Sequence, residues 1–192
     1  MPAPNPAALE FLLTRRSRPA RTLVAPVPTR DELTVLLTAA ARVPDHGKLE
    51  PWRFVVYEKP ALTRLAAAAR ALAEAKGMDM DAAAKGIAQF ADADLVVAVV
   101  KRPLPTDRIP EIEQVLSAGA VCLTLLNAAQ AAGFGSNWLT GWHVDDEGFR
   151  RDAMGLAGGE WVAGLIHIGT ETSVPPDRPR PDIAAITTWV QA

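Results

Sequence analysis

The sequence predicts an α+β fold with few strands and many helices. Three runs rich in apolar, β-branched and aromatic residues have the length of strands, and they cover residues 52–58, 94–100 and 161–169. Helical patterns occupy the segments between them, among them an alanine-rich stretch over residues 60–76. The chain of 192 residues has the length of one domain, and its sequence contains no repeat or linker that would divide it.

The helices are predicted from their end signals and their periodicity. The first ends near Arg15, and the second starts at a capping box formed by Thr29 and Glu32 and stops at Pro44. Further helices are predicted over residues 80–90, 110–132 and 145–156. The helix over residues 110–132 is apolar on nearly all sides, so we expect it to be buried on nearly all sides. On a single chain of this size it would leave a large exposed patch, which favours a dimer.

The composition argues against several classes of protein. The formal net charge is −2, whereas domains that bind nucleic acid usually carry a clear basic excess. The first ten residues lack the basic start and apolar core of a secretory signal. The uncharged segment 114–144 is interrupted by polar residues and glycines, so we expect it to be buried in protein rather than in a membrane. The single cysteine, Cys122, excludes an internal disulfide and indicates a reducing compartment, which favours the cytoplasm.

Common catalytic motifs do not fit the sequence. The glycine turn over residues 133–141 follows a helix rather than a strand, and Trp138 stands where a dinucleotide-binding fingerprint needs its third glycine. The histidines have no metal-ligand spacing, so we expect no metal site, and His167 is predicted to be a satisfied core residue. No nucleophile elbow accompanies His46 and Asp45. A cofactor-dependent reaction is therefore the stronger enzyme hypothesis.

The segment TRRSR, residues 14–18, is the best candidate for an anion site. Two or three guanidinium groups and a hydroxyl at a helix end can form charge-assisted hydrogen bonds to a phosphate. A solvated basic patch is also favourable beside the C-terminus of a helix. Local chemistry leaves both interpretations open.

Several segments together resemble the FMN-dependent nitroreductase family, especially its compact YdjA-like branch. They are RRS at residues 15–17, the loop PDHGKLEPWRF at 44–54, the glycine turn after the long helix, and the tail RPRPDIAAITTWV. The resemblance implies a nitroreductase-like fold in which helices flank a central mixed sheet, formed by one domain over residues 1–192. It also implies an intertwined homodimer whose C-terminal arm, about residues 175–192, wraps the partner.

The resemblance further implies which residues bind the cofactors. The FMN phosphate and ribityl chain would be held by Arg15, Arg16 and Ser17. The flavin would be reached from the other subunit by Arg42 and His46, and its site would be completed by Trp138, Leu139 and Thr140. A stretch implicated in NADH or NADPH binding matches Ala128, Ala129, Gln130, Ala131, Ala132 and Gly133. A buried helix end accounts for this last stretch equally well.

The implied activity is a ping-pong oxidoreduction. NADH or NADPH would reduce FMN, and a small electron-poor acceptor such as a nitroaromatic or a quinone would then be reduced in its place. No catalytic side chain is required, because the cofactor carries the hydride chemistry. A non-catalytic flavin-storage dimer and different flavin chemistry on the same fold remain open. Asp45, Lys48 and Glu50 stand where many family members carry Ser, Asn and Gln, so the contacts to the flavin ring are not readable from the sequence.

Overall fold

The structure, a computed structural model, describes residues 3–191. The helices are α1 (Pro6–Thr14), α2 (Arg30–Ala40), α3 (Lys59–Ala75), α4 (Met80–Ala91), α5 (Glu111–Ala131) and α6 (Trp142–Asp145). The strands are β1 (Leu23–Val24), β2 (Trp52–Glu58), β3 (Leu95–Lys101), β4 (Gly135–Leu139) and β5 (Trp161–Glu171). Short 3₁₀ turns lie at Ala20–Thr22 and His46–Lys48, and a π-helical turn lies at Phe149–Ala153.

The five strands form one sheet, with β5 at its centre. The strand order is β1-β5-β3-β2, and β4 also pairs with β5. Every pair of strands in the described range 3–191 is antiparallel, so the prediction of a mixed sheet was wrong on this point. The reason lies in the connection between β2 and β3. The two helices α3 and α4, joined by a turn at Gly77, bring the chain back to the end of the sheet that it left.

Helices cover both faces of the sheet, and the core has two halves. On one face α3, α4 and the π-helical turn bury Leu62, Leu65 and Phe90 against alternate residues of β3. On the other face α2 and α5 pack against the intervening β3 residues, such as Val97. This alternation follows from the period of two along a strand that is buried on both sides. The prediction of an α+β fold is thereby confirmed.

The predicted start of α2 is confirmed in detail, whereas the helix ends at Ala40, four residues before the predicted stop at Pro44. The Thr29 side chain accepts a hydrogen bond from the Glu32 backbone N–H, and the Glu32 carboxylate accepts one from the Thr29 N–H. The predicted strands and the helices at 60–76, 80–90 and 110–132 also appear, with ends that differ by one or two residues.

Two predicted elements were wrong. The segment after α5 was predicted as a turn but forms strand β4, whose residues pair with β5 from Gly135 opposite Gly169 to Leu139 opposite Leu165. The helix predicted over residues 145–156 was wrong in its extent, because Asp146 has an extended backbone and the helical residues run only from 147 to 153. The Asp146 carboxylate accepts a hydrogen bond from the Phe149 N–H at 2.8 Å, so a new helical turn begins there.

Helix α5 has two different faces. Its inner face packs on β3, β4, β5 and α2 and includes the fully buried Val121 and Leu125. Its outer face exposes Ile112 by 61%, Leu116 by 64% and Leu123 by 45%, so the prediction of burial on nearly all sides was wrong for one subunit. By length and apolarity this helix could cross a membrane. Its packed inner face is that of a core helix.

The two terminal segments also carry exposed apolar side chains. Helix α1 buries none of its side chains, and Leu12 and Leu13 are exposed. The described part of the C-terminal arm, residues 175–191, forms no helix or strand, and Trp189 is 85% exposed. Ala192, the last residue of the predicted arm, lies outside the described residues.

Candidate functional site

The predicted anion-binding residues lie at the end of α1, in a segment that is tied to the sheet. The Arg15 N–H closes α1 by donating to the Phe11 carbonyl at 2.8 Å. Three residues later the Arg18 N–H donates to the Ser136 carbonyl at 2.9 Å, at the start of β4. Arg15, Arg16 and Ser17, which we call the anion clamp, are therefore held between a helix end and a strand.

The anion clamp holds more positive charge than its local partners neutralise. Burial lowers the pKa of Arg15, and the neighbouring guanidinium groups of Arg180 and Arg18 lower it further. Among the described residues, Arg15 Nε and Arg16 Nη1 are buried without a hydrogen-bond partner. A buried donor without a partner is costly, so a bound anion would stabilise this arrangement. These two atoms favour the anion site over a solvated basic patch.

A cavity of about 480 Å³ connects the anion clamp to β4. Its lining residues are Arg15, Ser17, Leu123, Leu126, Trp138, Leu139, Thr140 and Ala163. The fold thus brings together five of the predicted FMN residues, which are far apart in the sequence. One end of this cavity is cationic and the remainder is apolar, with the Trp138 indole as one wall.

The small residues of β5 position that wall. The Trp138 Nε1–H donates to the Ala163 carbonyl at 3.2 Å. A Cβ at Gly164 would overlap the Trp138 indole and would lie 2.9 Å from Cys122 Sγ. Any larger residue at position 164 would therefore displace the indole. Cys122 lies in this layer with its side chain buried, and burial raises the pKa of its thiol to about 12.

A second cavity, of about 570 Å³, adjoins the first at Leu139 and Thr140. The chain segment that follows the anion clamp lines it, together with Gln89, Asn137 and His167. The Gln89 Nε2–H donates to the Thr140 carbonyl at 3.0 Å, while Gln89 Oε1 is buried and has no partner within residues 3–191. The amide groups of Gln89 and Asn137 add hydrogen-bonding capacity to this cavity.

His167 was predicted to be a satisfied core residue, and only part of this prediction holds. Its side chain is buried, with a relative exposure of 2%, but Nε2 has no hydrogen-bond partner in the described part of the chain. Burial and the nearby His143 lower the pKa of His167 to about 4. Burial likewise lowers the pKa of His143 to about 4. Both rings are therefore neutral at pH 7.

Arg42 and His46 lie apart from the anion clamp. Arg42 is exposed just after α2, and His46 is in the 3₁₀ turn before β2. Neither residue lines the two cavities described above. His46 Nδ1 lies 2.6 Å from Glu113 Oε2, in the first turn of α5. The structure of one subunit therefore does not join these residues to the other predicted FMN residues.

The segment around His46 is a rigid turn, which we call the His46 loop (residues 44–52). Gly47, Lys48 and Glu50 have left-handed backbones, with φ of 69°, 53° and 50°. Such a backbone is unfavourable for Lys and Glu unless the surroundings fix it. The Asp45 carboxylate does so by accepting hydrogen bonds from the Leu49 and Glu50 N–H groups at 3.2 and 2.8 Å. Asp45 thus has a structural role in the loop.

The predicted NADH or NADPH stretch, residues 128–133, is the end of α5 and its cap. Ala129 is buried in the core, and Gly133 follows the helix with a left-handed backbone, φ 89°. The Gln130 Nε2–H donates to Ser136 Oγ at 3.0 Å. This is the geometry of a glycine-terminated helix. None of the six residues lines the cavities described here, so their role in nicotinamide binding stays a prediction.

A larger cavity, of about 680 Å³, lies at the opposite edge of the sheet. It is lined by α2, the end of β2 and the start of α3, including Leu33, Val56 and Pro60. None of the predicted site residues lies there. Within the described range, no cluster of His, Cys, Asp and Glu could hold a metal ion.

Comparison with known proteins decides the family. The model of the nitroreductase family matches residues 12–170, a range that includes the anion clamp, the His46 loop and β4. The chain belongs to the nitroreductase family.

Two curated relatives of this nitroreductase come from well-known bacteria. "Putative NAD(P)H nitroreductase YdjA" of Escherichia coli K12 is 34% identical over 163 residues, which is 85% of this chain and 87% of the relative. A Haemophilus influenzae protein named "Putative NAD(P)H nitroreductase" is 36% identical over 164 residues, which is 85% of this chain and 88% of the relative. These relatives place the chain close to the YdjA-like branch.

Solved structures share the nitroreductase fold. A nitroreductase-like family protein from Bacillus cereus covers 100% of both chains, with a TM-score of 0.80 and 22% identity. A "putative nitroreductase in complex with FMN" from Desulfovibrio desulfuricans covers 98% of this chain and 99% of its own, with a TM-score of 0.73 and 22% identity. The NADPH:FMN oxidoreductase of Vibrio harveyi, complexed with NAD⁺, covers 96% and 77%, with a TM-score of 0.73 and 16% identity.

Sequence reasoning missed some residues that border the candidate site because they come from distant segments. Arg180 adds charge beside Arg15, as does Arg18 of the predicted anion site, and the tail motif was the only signal for Arg180. Gln89 lies on α4 and reaches the site only through the Thr140 carbonyl. Nothing in the sequence around Gln89 indicates this contact.

Proposed function

We propose that the protein is an FMN-dependent oxidoreductase, in which NADH or NADPH is the electron donor and a small electron-poor molecule such as a nitroaromatic or a quinone is the acceptor. One observation carries the proposal: a single cavity joins Arg15 and Ser17 to Trp138, Leu139 and Thr140. The family, the relatives named for NAD(P)H nitroreductase activity and the structural neighbour that contains FMN support it.

The residues of the anion clamp fit the phosphate of FMN. Arg15 Nε and Arg16 Nη1 have no partner within the described residues, and a phosphate offers several acceptor oxygens to them. The Arg15 Nη2–H donates to Ser17 Oγ at 3.4 Å, so the hydroxyl is placed to accept from Arg15 and donate to the ligand. Arg180, which lies close enough to lower the pKa of Arg15, would add a third guanidinium.

The second part of the site fits an isoalloxazine ring. Trp138, Leu139 and Thr140 form a wall of the first cavity, and Leu139 and Thr140 also line the second. The amides of Gln89 and Asn137 lie beyond this wall and can hydrogen-bond a polar ring edge. They are candidates for the amide hydrogen bonds to the ring that Asp45, Lys48 and Glu50 of the His46 loop do not offer. Arg42 and His46 would reach the ring from the other subunit.

The chain's own residues bind and orient, and the cofactor supplies the redox chemistry. When bound, FMN would supply the hydride and electron transfer between the nicotinamide and the acceptor. The protein holds the phosphate through the anion clamp and limits access to the ring through Trp138 and the partner subunit. Because the first cavity is open to solvent, the nicotinamide can leave and an acceptor can occupy the same space. This sequence of events is a ping-pong reaction.

The same proposal includes a homodimer built from one domain over residues 1–192, in which two sites lie between the subunits. Three apolar surfaces support it, namely the outer face of α5, helix α1 and the C-terminal arm. The edge strand β2 and the 680 Å³ cavity beside it offer a place for the partner's arm, because an edge strand has free backbone groups and Val56 is partly exposed there. We expect this dimer in the cytoplasm, since the single cysteine indicates a reducing compartment.

The colour and the reduction of the purified protein test the proposal. We expect a yellow dimer that releases FMN on denaturation and whose flavin absorbance is bleached anaerobically by NADH or NADPH and restored by a quinone. A protein that contains FMN but is bleached by neither nicotinamide would instead be a flavin-storage protein. A protein that neither contains nor binds FMN would contradict the proposal.

A further inference from the structure

The His46 loop is fastened to α5 at several points. The Ser117 Oγ–H donates to the Pro44 carbonyl at 2.9 Å, and the Trp52 Nε1–H donates to Ser117 Oγ at 3.1 Å. A Cβ at Gly47 would lie 2.8 Å from Ile109 Cδ1, so the loop packs closely on the segment before α5. The position of His46 is therefore set by the α5 region and not only by the loop itself.

Glu113 completes this arrangement by contacting the imidazole directly. Its Oε2 lies 2.6 Å from His46 Nδ1, just below the range of about 2.7–2.9 Å that is usual for a charge-assisted hydrogen bond between nitrogen and oxygen. A carboxylate can only accept, so Nδ1 must carry the proton. This hydrogen bond fixes both the tautomer and the orientation of the ring. His46 Nε2 is then left for another partner.

The surroundings of the His46–Glu113 pair indicate where a hydrogen-bond partner for Nε2 can bind. Glu113 is on the first turn of α5, between Ile112 and Leu116, whose side chains are 61% and 64% exposed. The side chain of His46 is itself 62% exposed. The His46–Glu113 pair therefore lies at the end of α5 that carries these exposed apolar residues, on the surface proposed to meet the second subunit.

We infer that Glu113 is a positioning residue, which holds His46 in the Nδ1–H form so that Nε2 can hydrogen-bond the flavin bound with the partner subunit. This inference rests on the proposed FMN-binding dimer. It adds the Glu113 carboxylate on α5 to the proposed site. It also gives a physical role to a loop that lacks the Ser, Asn and Gln residues of many family members. The loop contacts the ring through one oriented imidazole instead of through several amides.

The first test needs no cofactor. Nitrogen NMR of the histidine side chains distinguishes the two tautomers in the flavin-free protein. We expect His46 to be protonated at Nδ1 in the wild type and in Glu113→Gln, whose amide oxygen can still accept. We expect the Nε2–H form to become populated in Glu113→Ala. A His46 ring that has the same tautomer populations in all three proteins would overturn the inference.

The second test uses the holoprotein. In Glu113→Ala we expect the FMN dissociation constant to rise about fivefold, the loss of one ordinary hydrogen bond. We expect the flavin absorption bands and midpoint potential to shift in the same direction as in His46→Ala. Glu113→Gln should restore most of the wild-type values. Glu74→Ala, an exposed carboxylate on α3, should leave them unchanged.

A double-mutant cycle separates positioning from a general effect on α5. Glu113→Ala should change neither the FMN affinity nor the spectrum once His46 is alanine. Equal effects of Glu113→Ala with and without His46 would overturn the inference while leaving FMN binding itself intact. If the wild-type protein bound no FMN, the proposed function would fail as well, and the NMR test would still report on the Glu113–His46 pair.

Discussion

The anion clamp and the His46 loop are two halves of the proposed site that are completed in different ways. The anion clamp is assembled within one chain, because it is held between the end of α1 and the start of β4. The His46 loop is equally well ordered by Asp45, Ser117 and Glu113, but it faces outwards beside exposed apolar residues of α5. In the proposed dimer, a ligand completes the anion clamp and a second chain completes the surroundings of the His46 loop. Variants that disrupt the proposed dimer and variants that remove phosphate contacts should therefore distinguish the His46 loop from the anion clamp.

The largest effect is expected from removal of the C-terminal arm. Deletion of residues 175–192 should yield a folded monomer that retains little FMN, because a ligand held by two chains also stabilises their association. Deletion of residues 183–192 keeps Arg180 in place and should still break the dimer, since it removes the exposed Trp189. Sedimentation and flavin absorbance measure both outcomes. A fully flavinated monomer would contradict the shared site.

The second-largest effect is expected from substitutions in the anion clamp. Arg15→Ala should weaken FMN binding about 10- to 100-fold, because a hydrogen bond to a charged group contributes about 1.5–3 kcal/mol. Ser17→Ala in addition should weaken it further. Riboflavin, which has no phosphate, should bind the wild type and Arg15→Ala equally and more weakly than FMN binds the wild type. Fluorescence titration measures these constants, with Arg70→Ala as a distant control. Equal affinities of the wild type for riboflavin and FMN would argue against the anion clamp.

Acid should destabilise the fold on the side of the second cavity. Burial lowers the pKa of His143 and of His167 from 6.5 to about 4, so the unfolded chain binds more protons than the folded one between these values. Stability is therefore full above pH 6.5 and falls as the pH decreases towards 4, by up to about 1.4 kcal/mol per pH unit for each histidine. Urea unfolding at several pH values measures the slope. His143→Leu should reduce it, and an unchanged slope would mean that His143 is not buried as described.

The smallest effect is expected in the His46 loop. Asp45→Ala removes the hydrogen bonds to the Leu49 and Glu50 N–H groups, and each should cost about 1 kcal/mol of folding stability. The preference for FMN over riboflavin should persist, because the anion clamp is untouched. Thermal unfolding and the two ligand titrations measure this, and Asp107→Ala serves as an exposed control. Loss of the preference would show that the loop and the clamp are coupled within one subunit.

Local signals in the sequence were enough for much of the fold. The capping box of α2 and the apolar run of β3 are properties of a few neighbouring residues, and both were predicted correctly. Strand β4 was missed because its sequence, GSNWL, forms a strand only by pairing with β5. The outer face of α5 was misjudged because a uniformly apolar helix does not show which side meets the core and which side stays exposed on the chain.

Part of the candidate site was also predicted from the sequence, and part was missed. The resemblance named Arg15, Ser17 and Trp138, and the fold brings these residues to one cavity. Gln89 was not predicted because its contact with the Thr140 carbonyl spans 51 positions in the chain. The role of Gly164 was also hidden, since it consists of leaving room for an indole from another strand.

The burial of Cys122 behind that indole makes the thiol a reporter of local opening. A thiol with a pKa of about 12 carries almost no thiolate at neutral pH, and only the thiolate reacts quickly with alkylating agents. Labelling of Cys122 by iodoacetamide should therefore require a fluctuation that moves Trp138 away from Gly164. The alkylation rate of this single cysteine would then report how often the cavity wall opens. It could be measured in the presence and in the absence of ligand, and no probe would have to be introduced.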